Sequence, residues 1–145
     1  MRDIHSGIAV ISAIGAALLT ADATSAAIDL QGFDSAEIVL AIGIGGITFD
    51  AANKIEFKLT ESDDDLTYTA ITDDDVLGVR NTSNGIIKAL TSAHAAASVH
   101  RFGYIGGKRY LKIAADFSGT HGTGTPIAAM VLQGKPSRQP VADQA

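Results

Sequence analysis

The sequence predicts an all-β protein, an antiparallel β-sandwich of about eight or nine short strands with a jelly-roll-like layout and extended terminal arms. Three observations predict it. Lys54–Glu61 (KIEFKLTE) alternates apolar and polar residues without a break, the period of a half-buried strand. Clusters of Gly, Asp, Ser and Thr recur between the apolar runs, as turns do between the strands of a sandwich. No run keeps a helical period: Thr91–Ala97 (TSAHAAA) is the one stretch of helix-friendly composition, and it is too short to stand alone.

The totals set the bounds. At 145 residues, with 46% hydrophobic and 19% charged residues, the chain reads as one globular domain over residues 1–145. It has no cysteine, so neither a disulfide framework nor thiolate chemistry is expected. A formal net charge of -5 argues against a nucleic-acid partner. The absence of Trp, with 6% aromatics, leaves few platforms on which bases or sugars could stack. Spanning a membrane takes about 20 apolar residues, and no such run exists.

Taken in order, Gly7–Leu19 (GIAVISAIGAALL) has the length of a signal-peptide core, and Thr24-Ser25-Ala26 resembles a cleavage site. Arg2 is offset by Asp3, however, so residues 1–14 are read as a first strand or docked arm. Ala27–Gln31 is a short alternating run, and Gln31–Ser35 turns the chain. Glu37–Ile44 (EIVLAIGI) follows, with Ile38, Leu40, Ile42 and Ile44 on one face. Val39 and Ala41 make its other face mildly apolar, the mark of a strand that is central or lies under another element.

In Lys54–Glu61, Ile55, Phe57 and Leu59 point inward, and a one-residue slip would bury Glu56 and Lys58 instead. Thr67–Thr72 and Gly85–Leu90 are further short strands. Val99–Ile105 and the alternating run Leu111, Ile113, Ala115, Phe117 flank Ile105-Gly106-Gly107-Lys108. Gly-Gly at that place predicts a two-residue hairpin turn with positive φ angles, and the resulting ribbon is expected at the centre of a sheet. Ile127–Leu132 (IAAMVL) is a last strand with two apolar faces. Residues 134–145, with two prolines after the strand and no period, form an extended tail.

The residues that could carry chemistry do not converge. Gly43-Ile44-Gly45-Gly46 invites a phosphate-loop reading, but no helical period follows it, so it is read as a glycine-eased turn. Asp63-Asp64-Asp65 and Asp73-Asp74-Asp75 could share a calcium ion, yet neither has EF-hand spacing, and Asp is a good turn residue. His5, His94, His100 and His121 are scattered. His121, in a Gly/Thr loop, is free to reach a substrate but lacks a triad partner. Lys108, Arg109 and Lys112 are read as a solvated strand face. No catalytic, metal-ligating or cofactor-binding residue is assigned, and no enzyme activity is expected.

The segments MRDIHSGI, AIDLQGFDSAEIVL, FKLTESDDDLTYTAI, FGYIGGKRYLKIAADFSG and AAMVLQGKP together resemble a family of small tailed-bacteriophage virion proteins. These are encoded among head genes and look like capsid decoration, or cement, proteins. The resemblance covers most of the chain, with ESDD…TYT and YIGGKRYLKI its most specific part. It implies a structural protein on the exterior of the phage head, made in the bacterial host cytoplasm. The major capsid protein would be its partner and a homo-trimer its assembly, with residues 1–14 and 134–145 as contact arms and neither nucleic acid nor membrane involved. A tail-tube, terminator or neck protein is the alternative, which would use Thr91–Ala97 as a helix packed on the sheet. A calcium-assisted module binding glycan or a host surface is the second. The stretch around Ser62-Asp63-Asp64 also looks like discoidin-type sandwiches, with Tyr68 where these often carry Trp, a likeness of architecture alone.

Overall fold

The structure is a computed structural model that describes residues 3–144. Its strands, in chain order, are β1 (Ile8–Leu19), β2 (Ala23–Thr24), β3 (Ile28–Asp29), β4 (Phe33–Ile42), β5 (Lys54–Ser62) and β6 (Thr69–Ala70). They continue with β7 (Val76–Leu77), β8 (Ile86–Leu90), β9 (Ser98–Tyr104), β10 (Tyr110–Ser118) and β11 (Thr125–Pro136). The first sheet runs β1-β11-β4-β9-β7. The second runs β2-β10-β5-β6, with β3 also on β10 and β8 also on β5. Every pairing is antiparallel. The two sheets pack face to face, so the predicted β-sandwich is what the chain forms.

The alternation in the sequence sets which side of each strand is dry. Ile55, Phe57 and Leu59 of β5 are fully buried, as are Leu111 and Ile113 of β10 beside them. From the first sheet, Ile38, Leu40 and Ile42 of β4 and Ile127, Ala129 and Val131 of β11 meet them across the core. Within the second sheet Phe57 pairs with the small Ala115, and Leu59 pairs with Ile113. Each fully buried aliphatic or aromatic chain is worth roughly 1.5–3 kcal/mol, which fixes the register against a slip.

The turn at Gly106-Gly107 is a correction. β9 pairs with β4 and β7, whereas β10 pairs with β5, so the two strands lie in different sheets. Neither glycine has a positive φ. The chain crosses the end of the sandwich as an arch, tied by Ile105 N–H and Gly106 N–H donating to Asp75 O at 2.8 and 3.2 Å. A period of two says which side of each strand is apolar, and a hairpin and an arch satisfy it equally. Gly107→Ala should therefore be neutral or stabilising by about 0.4–1 kcal/mol, because the added Cβ meets nothing within 4 Å. A primed turn would instead lose stability on that change, and a urea melt separates the two.

Other boundaries move. β4 starts at Phe33 and ends at Ile42, which leaves Ile44 beyond the strand and 61% exposed. The Thr67–Thr72 run pairs only at Thr69–Ala70. Thr91–Ala97 forms no helix. Residues 8–14 belong to β1, which continues to Leu19 through two register shifts, and Gly134–Pro136 belong to β11.

Candidate interaction face

The two sheets differ in what they turn to solvent. On the second sheet the outward positions of β5 and β10 are charged and matched. Lys58 pairs with Asp116 across the strands and with Glu56 at 3.8 Å, and Lys54 pairs with Glu56. The Asp116 hydrogen bond raises the Lys58 ammonium above its ordinary value. The basic residues near the arch are engaged as well. Lys108 meets Asp63, Arg109 grips Asp29 through two bonds of 2.9 and 2.7 Å, and Lys112 lies 4.0 Å over the Tyr68 ring. No unpaired basic stripe is left there for a polyanion.

The outer face of the first sheet is largely apolar. The register lays its outward residues in rows across the strands. Val10, Leu132, Glu37, Gly103 and Leu77 make one row, and Ser12, Met130, Val39 and Arg101 the next. Ala128, Ala41 and Val99 make a third. Val99 is 70% and Leu77 56% exposed. The third row floors a shallow depression of about 560 Å³, with Val99 and Pro126 at its rim. Arg101, its side chain 84% exposed, reaches Glu37 only at 3.8 Å. β4 is thus central in its sheet, as its two apolar faces imply, but among the described residues no element lies over its outer side.

The acidic clusters hold their own turns. Asp64 accepts the N–H groups of Leu66 and Thr67 and the Ser62 hydroxyl, each at 2.9 Å. Asp65 accepts the Tyr68 hydroxyl, Asp73 the N–H groups of Asn81 and Thr82, and Asp75 the Thr72 N–H. Among the described residues no group of three His, Cys, Asp or Glu side chains converges as a metal site would require. The Thr67 and Leu66 N–H groups, with the Ser62 hydroxyl, hold the Asp64 carboxyl down at about 2, below its usual 3.8. A depressed value means that the stabilisation is full above the unfolded value and is lost as pH falls through the folded one. The Asp64 carboxyl should titrate with a midpoint near 2 by NMR, and Asp64→Ala should flatten the fall in stability between about pH 4 and 2. A midpoint at the ordinary carboxylate value would overturn this account of the turn.

Two of the four histidines come together and the other two stay apart. His5 meets Asp143, while His94 and His100 share Ser98. Burial pushes the His100 imidazole below its ordinary value. His121 corrects the sequence reading, because it is not free to reach a substrate. It is 4% exposed, its ring lies edge-on to Phe117 at 4.6 Å, and its Nε2 donates to Ser118 O at 2.8 Å. The Gly/Thr loop folds back over it, which loop composition does not report.

One buried polar pair was not singled out in the sequence. Glu61 continues the inward phase of Ile55, Phe57 and Leu59 and is 7% exposed. Its Oε2 accepts the Tyr104 hydroxyl at 2.7 Å, and the same phenol oxygen accepts Lys108 N–H at 3.0 Å. Burial first, then the bond to Glu61, raises the Tyr104 phenol above its ordinary range. The signal was present, since extending the period of two by one step puts Glu61 inside. The pair ties β5 to the end of β9 and so anchors the arch.

Residues near both ends of the chain, 6–10 and 141–144, meet at one sheet edge. Val141 N–H donates to Ser6 O at 3.0 Å. The Gln144 side chain accepts from Val10 N–H at 2.8 Å and donates to Val10 O at 2.9 Å. An edge strand carries unpaired backbone groups that invite another strand. Here a side-chain amide occupies that place on β1.

No family model and no curated protein matches this chain.

Proposed function

We propose that the chain is a structural virion protein of a tailed bacteriophage, a decoration or cement protein on the outer surface of the assembled head. The observation that carries this reading is the contrast between its two outer faces. One is saturated with internal ion pairs, and the other is a largely apolar sheet face with Val99 and Leu77 exposed. Exposed apolar patches of this kind mark association surfaces, and the resemblance in sequence points to the phage head as the partner. The scattered histidines and the carboxylates engaged in turns favour a structural role over a metal-assisted binding module. The absence of a helix over Thr91–Ala97 removes the support that a tail or neck protein would have drawn from it.

The strand order supports a jelly-roll reading of the sandwich. The series β1-β11-β4-β9 lies opposite β2-β10-β5-β8, the interleaving produced when a long antiparallel ribbon is rolled up. The edge formed by β1 and residues 137–144 brings both ends to one side, where they can lie on a shell. Many weak contacts repeated by capsid symmetry then add up without one strong site.

The test is co-sedimentation with heads assembled from the major capsid protein of the same genome. The chain should pellet with heads and raise the temperature at which they break open. A chain that stays in the supernatant and leaves the breaking temperature unchanged refutes the role.

A further inference from the structure

We propose that the apolar outer face of the first sheet is closed by a second copy of the chain, in a two-fold pair. This deepens the structural reading above, rests on it for taking the face as an association surface, and puts a dimer in place of the homo-trimer that the resemblance implies. It leaves the edge of β1 and the tail for the shell.

Two features of the face favour a copy of itself. The first is charge. Arg101 and Glu37 stand on neighbouring strands one row apart, with Val39 between them in the register. A two-fold axis in the plane of the face, passing by Val39 and Ala128, turns Glu37 of each copy toward Arg101 of the other. The same operation sets Met130 over Ala41, a large residue over a small one. Within one copy the pair is loose, at 3.8 Å with the arginine side chain 84% exposed, so the guanidinium can reach across.

The second feature is size. The face spans three rows over the four strands β1, β11, β4 and β9. With strands about 4.8 Å apart and alternate residues about 6.8 Å apart, each copy contributes on the order of 400 Å². The pair then buries about 800 Å², the size of a weak, reversible interface. A three-fold assembly needs two different surfaces to meet, whereas this face is complementary to itself.

Light scattering on a sizing column, over a concentration series, reads the result. The full chain should be a dimer at tens of micromolar. Arg101→Glu places like charges together at both symmetric contacts and should weaken the pair on the order of a hundredfold. The swap Glu37→Arg with Arg101→Glu should restore it, which a merely structural role for either residue would not. Val99→Asp, at an exposed position, should also weaken pairing while the circular dichroism melt stays that of the parent. A monomer or a trimer at all concentrations, or an Arg101→Glu chain that pairs as tightly as the parent, overturns the inference. The head-binding assay separates this result from the virion role. A monomer that pellets with heads removes the pairing and keeps the role, and a dimer that ignores heads does the reverse.

Discussion

Phe57→Ala should destabilise the fold by about 3–5 kcal/mol, the larger part of what a domain at the low end of the usual 5–15 kcal/mol possesses. Phe57 is fully buried at the middle of β5. Its neighbours there are Ala115 on β10 and Lys88 on β8. Because Ala115 is small, the ring fills the space that its partner leaves. The melting temperature should drop by roughly 10–15 °C, and a denaturant melt should give the same loss at unchanged slope. Leu66→Ala, at a site 84% exposed, is the control and should change little. A loss below about 1 kcal/mol for Phe57→Ala would mean that the ring does not sit between the sheets. The register derived from the KIEFKLTE alternation would then be wrong.

That register shows what kind of information was legible. β5 and β10 each have one wet and one dry side, so their period of two states their orientation outright. The strands of the other sheet were harder for a physical reason. In β11, Ala128, Met130 and Leu132 face out while Ile127, Ala129 and Val131 face in, and a strand apolar on both sides has no phase to read. The same property that blurred the sequence signal produces the candidate interaction face. β1 was obscured differently, since its register shifts after Ser12 and again after Ile14, so its inward residues do not keep step.

What lay beyond the sequence was the pairing between runs. Alternation shows the dry side of β9 and of β10, but whether they share a sheet is decided by the arch contacts of Asp75 and the Glu61–Tyr104 bond. These join residues 30 to 43 positions apart. The burial of His121 is likewise a tertiary outcome, produced by Phe49 and Phe117 closing on either side of its ring. A Gly/Thr loop looks mobile in sequence, yet Thr125 at its end is fully buried.

Gly46→Ala tests how tightly that end of the sandwich is closed, and the expected loss is about 3 kcal/mol. A Cβ on Gly46 would lie 2.0 Å from Gly124 O and 2.8 Å from Gly124 N, far inside any real contact. The obstacle is backbone, so no rotamer change relieves it. Gly124 is itself confined. It has φ +87°, its N–H donates to His121 O at 2.8 Å, and on its other side stands Leu19 O. Moving it would disturb the end of β1 and the loop over His121 together. Thr125 Oγ1 accepts the Gly46 N–H at 3.3 Å, a bond that any retreat of Gly46 would break. The Gly43–Gly46 run is glycine-rich because the chain is crowded there, Gly43 by the Pro126 ring, Gly45 by the Phe49 ring and Gly46 by the Gly124 backbone, which accounts for its composition without a bound phosphate. Gly15→Ala, where nothing lies within 4 Å of the added carbon, should be close to neutral in the same melt. If Gly46→Ala proved equally silent, the loop 43–53 would not be packed on the 119–124 loop. The closure that buries His121 would then have to come from another contact.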